Sequence, residues 1–496
     1  MPEDAPRFPV LSRRVFNAGA ISLTASLAAR ALGSHQPTIQ PTTQPTGQPT
    51  GQPTTQTRAN LNDADFLEDQ ARRVVASALI RAGETRGPYT NSTTFDLHVP
   101  GGNMGYPAFW IRDAAMMLGA DLISAAEIKG WITLIARTVR DTDWNVREGV
   151  VVPAYFVPDH INFDGSACFY PGSYESGDKQ GGPPWGKFPP LDDNFYFIDM
   201  VYRHWRLTRD IKHFFAPVHT ATGQWPLSAV CIDAYGAVPC EAMFKLVTAG
   251  NIDTDNAKDW GFCDSVFKSG ALLFPSILKW QAAAQLAVMF AALGDKELAA
   301  RFSGERDLLA IGLITFLYQS GDNAIDAQPN EAWLHSAERV GNQPDLWGSA
   351  LAVASGAITG RRAERVSRAL VRAYREKTAV RDGLVRHILT TDTTNNSGWQ
   401  KSVSPVGEYQ NGGYWSTPSG WYIAAMNLTD PAAARDMARD FVRTLRSWLR
   451  DDGTTRAWEW SNPDTGRQAN EFYAASVALP WITLKNANLL HLLRDT

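Results

Sequence analysis

Cysteine is scarce: the 496-residue chain has four, at Cys168, Cys231, Cys240 and Cys263. None stands in a Cys-x-x-Cys or Cys/His spacing, which excludes zinc-ribbon and zinc-finger frameworks. In an oxidising compartment Cys231 and Cys240 are near enough in sequence to close one small disulfide loop; otherwise they are buried thiols. Histidine is scarce too, nine in all, and none lies in the carboxylate and tryptophan clusters described below. Charge of one sign is missing: 47 Lys and Arg against 51 Asp and Glu give a formal net charge of −4. With no basic run in the body, the electrostatic footprint of a nucleic-acid binder is absent. No apolar run makes a comfortable membrane span. Walker-type glycine loops, local Ser-His-Asp constellations and metal-ligand clusters are likewise missing, so neither cofactor nor metal is expected.

Aromatic residues are plentiful, with 17 Trp, 14 Tyr and 22 Phe. Many tryptophans sit beside Gly, Asp, Asn or Pro: Trp110, Trp144, Trp185, Trp225, Trp260, Trp399, Trp415, Trp421, Trp458 and Trp460. Tryptophan is ordinary core filler. Beside carboxylates and amides it also suits a sugar, whose flat C–H faces stack on rings while its hydroxyls take hydrogen bonds.

The N-terminus reads Ser12-Arg13-Arg14-Val15-Phe16, then an apolar, small-residue stretch from Ala18 to Ala29, then Ala29-Arg30-Ala31. Paired arginines ahead of a modest apolar run and a small-residue cleavage site match a twin-arginine export signal over residues 1–34. The expected partner there is the twin-arginine machinery, and the expected location is periplasmic or extracellular. Residues 35–60 repeat Pro, Thr and Gln with almost no apolar side chains, so they form an extended linker. Residues 61–496 read as one domain.

Within it, apolar residues recur at three- and four-residue intervals. The spacing predicts helices over 66–82, 108–125, 128–142, 194–208, 276–293, 297–317, 344–355, 360–376, 418–428, 432–449 and 470–486. Strand-like stretches are few, 150–156 and 384–389 being the clearest. Short links such as Leu293-Gly294-Asp295 alternate with long ones rich in Gly, Pro, Trp and Asp. The expected fold is all-α, an (α/α)6 toroid of six helical hairpins whose long loops carry the site on one rim.

Three loop clusters hold the chemistry. Phe109-Trp110-Ile111-Arg112-Asp113 leads straight into a helix, offering Trp110 for ring stacking and Arg112 and Asp113 for hydroxyls. Lys258-Asp259-Trp260-Gly261-Phe262-Cys263-Asp264-Ser265 places Asp259 and Asp264 near aromatics, where lost hydration favours the protonated form a general acid needs. Trp458-Glu459-Trp460 sets a carboxylate between two indoles, which is hard to reconcile with a solvated surface charge. The Asn411-Gly412-Gly413-Tyr414-Trp415 loop adds stacking surface, and Glu408 and Glu471 compete as alternative acids.

At these residues the chain resembles the six-hairpin glycosidases, the clan that includes glycoside hydrolase family 63, trehalases and glucoamylase-like enzymes. The base segment of family 63 is similar to Glu459-Trp460-Ser461-Asn462-Pro463-Asp464-Thr465-Gly466, followed by Tyr473-Ala474-Ala475-Ser476. The resemblance therefore implies Glu459 as general base. It implies Asp264 as general acid, although Gly-Phe-Cys is inserted before it. Trp110, Arg112, Asp113, Trp260, Tyr414, Trp415 and Trp458 would bind the substrate, an oligosaccharide or α-linked glycoside. Two acids roughly 6.5–9.5 Å apart would invert the anomeric centre. The alternatives are another carbohydrate enzyme on the same toroid (lyase, phosphorylase or epimerase) and a non-catalytic sugar-binding toroid.

Overall fold

The computed structural model describes residues 61–119, 121–170, 174–181, 189–249, 262–263, 265–321, 327–390, 402 and 404–494. The expected leader and linker lie outside them. The helix α1 (Asp63–Ala78) starts where the Asn62 side chain accepts the Asp65 N–H at 3.0 Å, a cap worth about 1 kcal/mol. Its apolar residues Phe66, Leu67, Ala71, Val74 and Val75 fall at helical spacing and are buried as one stripe. The six-residue helix α2 (Ile111–Met116) follows a short strand, and α3 (Ala125–Ala136) opens on a Ser124/Glu127 capping box. The chain continues through α4 (Asp193–Thr208), a short helical turn Lys212–Phe215, α5 (Leu227–Ala237) and α6 (Leu273–Leu293).

Gly294 ends α6 with a left-handed φ of 81°, and Asp295 caps α7 (Lys296–Gly312) through the Leu298 N–H at 3.0 Å. Asp345 caps α8 (Leu346–Ser355), which α9 (Gly360–Arg375) and α10 (Ser419–Asn427) follow. Asp430-Pro431 starts α11 (Pro431–Ser447), and α12 (Ala475–Asn486) completes the helices.

The even-numbered helices pack in a closed ring, α2 on α4, α4 on α6, α6 on α8, α8 on α10, α10 on α12 and α12 back on α2. The odd-numbered helices pack outside them, so the expected (α/α)6 toroid is the fold. Of the described helices only α6 is long and apolar enough to cross a membrane, and its apolar residues are spent in the ring.

Four points differ from expectation. The helix expected over 108–125 is confined to Ile111–Met116: Phe109–Trp110 is a strand, Gly119 has φ 131° and Asp121 has φ 64°. Helix α5 had no counterpart, because its apolar residues show almost no one-sided periodicity and Pro226 stands directly before it. The strands expected over 150–156 and 384–389 are shorter, Val150–Val152 and Leu384–Val385. None of the four cysteines is disulfide-bonded, so the small Cys231–Cys240 loop is not closed.

Every inner helix begins at the same rim, and short antiparallel strands there anchor the connecting loops. Tyr414–Trp415 lies between Leu384–Val385 and Trp460–Asn462 in a five-stranded sheet, with Trp415 opposite Trp460. On the other side of the rim Phe109–Trp110 pairs with His160–Ile161, which pairs with Ala167–Cys168.

Candidate active site

Glu459 stands just ahead of the strand Trp460–Asn462, its N–H donating to the carbonyls of Ala469 and Asn470. Its side chain lies inside the rim, and Glu459 is only 2% exposed. Tyr106 Oη lies 3.0 and 2.9 Å from the two carboxylate oxygens, and Asn470 Nδ2 donates to Oε2 at 2.6 Å. A carboxylate is acceptor-only, and these neutral donors match it without cancelling its charge. Backbone in the left-handed region gathers around it, with φ 43° at Ala457, 52° at Asn470 and 62° at Phe472. Such conformations cost about 1–3 kcal/mol each and persist where surrounding structure dictates them.

Asp113, in the first turn of α2, is brought to the same place. Tyr473, just before α12, hydrogen-bonds Asp113, and burial followed by the Asp113 and Glu459 charges pushes its phenol pKa well up. It therefore stays a donor. The Trp110 ring stacks on His160 at 4.3 Å with 23° between planes, while Tyr106 and Tyr174 meet its edges at 5.5 and 6.1 Å. Trp110 remains half-buried. His160 Nδ1 lies 2.7 Å from Asp159 Oδ2, a hydrogen bond that fixes the orientation of the ring.

Arg112 forks onto Asp192 at 2.7 and 3.1 Å, so its role here is to hold the loop ahead of α4. Asp192 also accepts the Phe262 N–H at 3.0 Å. Burial pushes the Asp192 pKa up, opposed by Arg112. Next to it, fully buried Asp193 has no hydrogen-bond partner for either oxygen among the described residues. Burial, then the Asp192 and Asp159 charges, drives its pKa well above the usual carboxylate range. A neutral acid at this position is the expected resolution of several carboxylates around one guanidinium.

Asp259, Trp260 and Asp264 lie outside the described residues. The main chain on either side of Asp264 is held: Gln410 takes the Ser265 N–H at 2.9 Å and donates to the Phe262 carbonyl. Cys263 Sγ lies 3.3 Å from His387 Nδ1, and Phe262 has a left-handed φ of 62°.

The remaining sequence candidates divide. Trp458 is half-buried beside Glu459, its carbonyl accepting from Ser476 Oγ at 2.8 Å. Trp415 is buried among Tyr409, Trp347 and Phe262 and forms the wall behind the site. The Tyr414 ring faces the opposite side of its strand, under the Arg386 guanidinium at 5.0 Å. Glu408 pairs with Arg467 and Glu471 with Arg456 at 2.9 Å, so neither competitor shares the setting of Glu459. Trp421 and Trp460 are core residues.

Sequence reasoning missed Tyr106, Asn470, Asp192 and the His160–Asp159 pair. The expectation that no histidine joins the clusters is corrected by His160, whose strand lies against that of Trp110. The Asp192-Asp193-Asn194 run at a helix start was the available signal.

A buried carboxylate with a second acid nearby, half-buried indoles and hydroxyl donors thus gather on the loop-bearing rim of a six-hairpin toroid. Among solved structures, the glucoamylase of Saccharomycopsis fibuligera is 14% identical, with 87% of this chain and 97% of that chain covered at a TM-score of 0.52. A bacterial glucoamylase complexed with acarbose is 12% identical, with 88% of this chain and 58% of that chain covered at a TM-score of 0.50. At these identities the likeness is one of fold, that of the six-hairpin glycosidases. The family description "PT disordered repeat" matches residues 33–65, the Pro/Thr/Gln-rich linker region. No curated protein sequence matches the chain.

Proposed function

We propose that the protein is an exported glycoside hydrolase that cleaves an α-linked glycoside with inversion. The observation that carries this reading is Glu459, a buried carboxylate held by Tyr106 and Asn470 beside Asp113 and the half-buried Trp110. The shared fold with glucoamylases supports a glycoside as the substrate. In this reading Asp264 protonates the glycosidic oxygen as the C–O bond breaks, and Glu459 takes a proton from the water attacking the opposite face. Inversion requires the two carboxyls to stand roughly 6.5–9.5 Å apart. Asp113, oriented by Tyr473, accepts from sugar hydroxyls, and Trp110, Trp260 and Trp458 meet the ring. The twin-arginine leader and the linker place the folded enzyme outside the cytoplasm.

The test is a panel of aryl glycosides and α-linked disaccharides followed by NMR at early times. The expected first product from an α-linked substrate is the β-anomer. Absence of hydrolysis across the panel sinks the reading, and a first-formed α-anomer sinks inversion.

Tyr106, Tyr473 and His160 around the cleft also favour a second reading, a polysaccharide lyase. Such an enzyme needs a cation for a uronate carboxylate, and Arg112 already spends its fork on Asp192. An unsaturated product absorbing in the ultraviolet would decide for it.

A further inference from the structure

The toroid has a second mouth. Away from Glu459, residues of all six inner helices, among them the last turns of α2, α8 and α12, enclose a cavity of about 290 Å³. Its floor is apolar, made by Leu278, Leu351, Trp421 and Ile482. Around that floor stand Arg203, Gln281, Ser355, Thr483 and Asn486, with Asp199 beside Arg203. Each oxygen of Asp199 has a donor, Arg203 Nε at 2.7 Å and Gln285 Nε2 at 2.5 Å. Donors on the rim are uncommitted: the Arg203 terminal nitrogens and the Gln281 and Asn486 amides have no hydrogen-bond partner among the described residues. Ser355 Oγ is buried and equally without one.

A buried polar atom without a partner, such as Ser355 Oγ, costs free energy unless water or a ligand satisfies it, while the half-buried Arg203 and Gln281 and the exposed Asn486 offer donors at the cavity's edge. The chemistry of an occupant follows from the charge. Arg203 and Asp199 cancel each other, so an ionic ligand would meet no net opposite charge. The rest of the rim is hydroxyl and amide, able both to donate and to accept, over an indole and aliphatic floor. Small-ligand sites have this composition, mostly apolar with a few convergent polar groups, at volumes from about 300 Å³ upward. We propose that this cavity binds a small neutral polyhydroxylated molecule, a monosaccharide or polyol, at a site distinct from the Glu459 cleft. Trp421 separates the two: its ring lies 6.1 Å from that of Phe262, on the active-site side, and 5.8 Å from that of Phe274. The proposal is independent of which reaction the cleft performs.

Calorimetric and saturation-transfer NMR titrations of the full chain with glucose, mannose, rhamnose and myo-inositol test it. Glu459→Gln leaves this mouth intact. Ala354→Trp fills it from an exposed position at the end of α8, and Asn486→Trp does so from the end of α12, so at least one filled variant should fold. The expected result is saturable binding of at least one of these compounds by the wild type and by Glu459→Gln, weakened tenfold or more in a folded filled variant. Unchanged affinity in a folded filled variant, or no saturable binding of any of the four by the wild type, overturns the proposal. In the latter case the cavity holds water only.

Discussion

Replacing Glu459 by Gln changes one atom and removes one charge, so its outcome separates chemistry from packing. Gln is the same shape, and its amide oxygen can keep the 2.6 Å contact from Asn470 Nδ2. The new NH₂ then faces Tyr106 Oη, which can rotate its hydrogen away and accept. Almost every hydrogen bond therefore survives in some form, and the stability cost should stay at about 1 kcal/mol or below. Turnover should behave differently. An amide cannot take a proton from water, and loss of a general base typically slows a reaction about 10²–10⁴-fold, or roughly 3–5.5 kcal/mol in the barrier. The assay pairs reducing-sugar release on whichever glycoside the wild type cleaves with a thermal melt of both proteins. A melting temperature within a few degrees and turnover reduced at least a hundredfold is the expected pair of results. Wild-type turnover by the Gln variant would refute the assignment of Glu459.

Asp193→Asn should raise thermal stability. The folded carboxyl has a raised pKa, so it costs nothing below its unfolded pKa and its full penalty appears above its folded one. The gain in melting temperature should therefore be larger at pH 8 than at pH 4.5, and a flat difference would refute the argument. Arg112→Ala leaves Asp192 buried opposite a missing guanidinium and should cost about 3–5 kcal/mol in urea unfolding. In Asp345, burial raises the pKa but His387, Lys268 and the Gly348 N–H outweigh it and hold the carboxyl at about 2. That stabilisation is complete above the unfolded value of about 3.9 and fades as pH falls toward 2. Asp345→Asn should thus be less stable than wild type at pH 6, with the gap closing below pH 4 in denaturant titrations.

The parts of the fold legible in the sequence were those written in local periodicity. Helices α9 and α11 have strongly one-sided apolar stripes and were expected within two residues of their ends. Helix α5 was missed because it is apolar nearly all round, and the helix around Asp113 was overestimated because Ala114 to Leu118 looks helical while Gly119 leaves that conformation. The site was legible in the same uneven way. A Glu between two Trp announces itself, but its donors do not: Tyr106 lies 353 positions away in the chain. His160 reaches Trp110 only through strand pairing across fifty residues, which no local pattern encodes. Tyr414 was misplaced because adjacent residues on a strand point to opposite faces, and only the sheet decides which of Tyr414 and Trp415 turns inward.

The clasp that shuts the ring is made by its first and last hairpins. Helix α12 lies on α1, Arg446 grips Asp63 and the Leu61 carbonyl, and the Gln70 amide is tied to Gly453 and Thr455 across as many as 385 positions. During synthesis the apolar stripe of α1 thus waits uncovered until the final hairpin has emerged. Assembly of this domain is accordingly an all-or-nothing, late event, and clipping even α12 alone should leave a chain that collapses without ever becoming a ring.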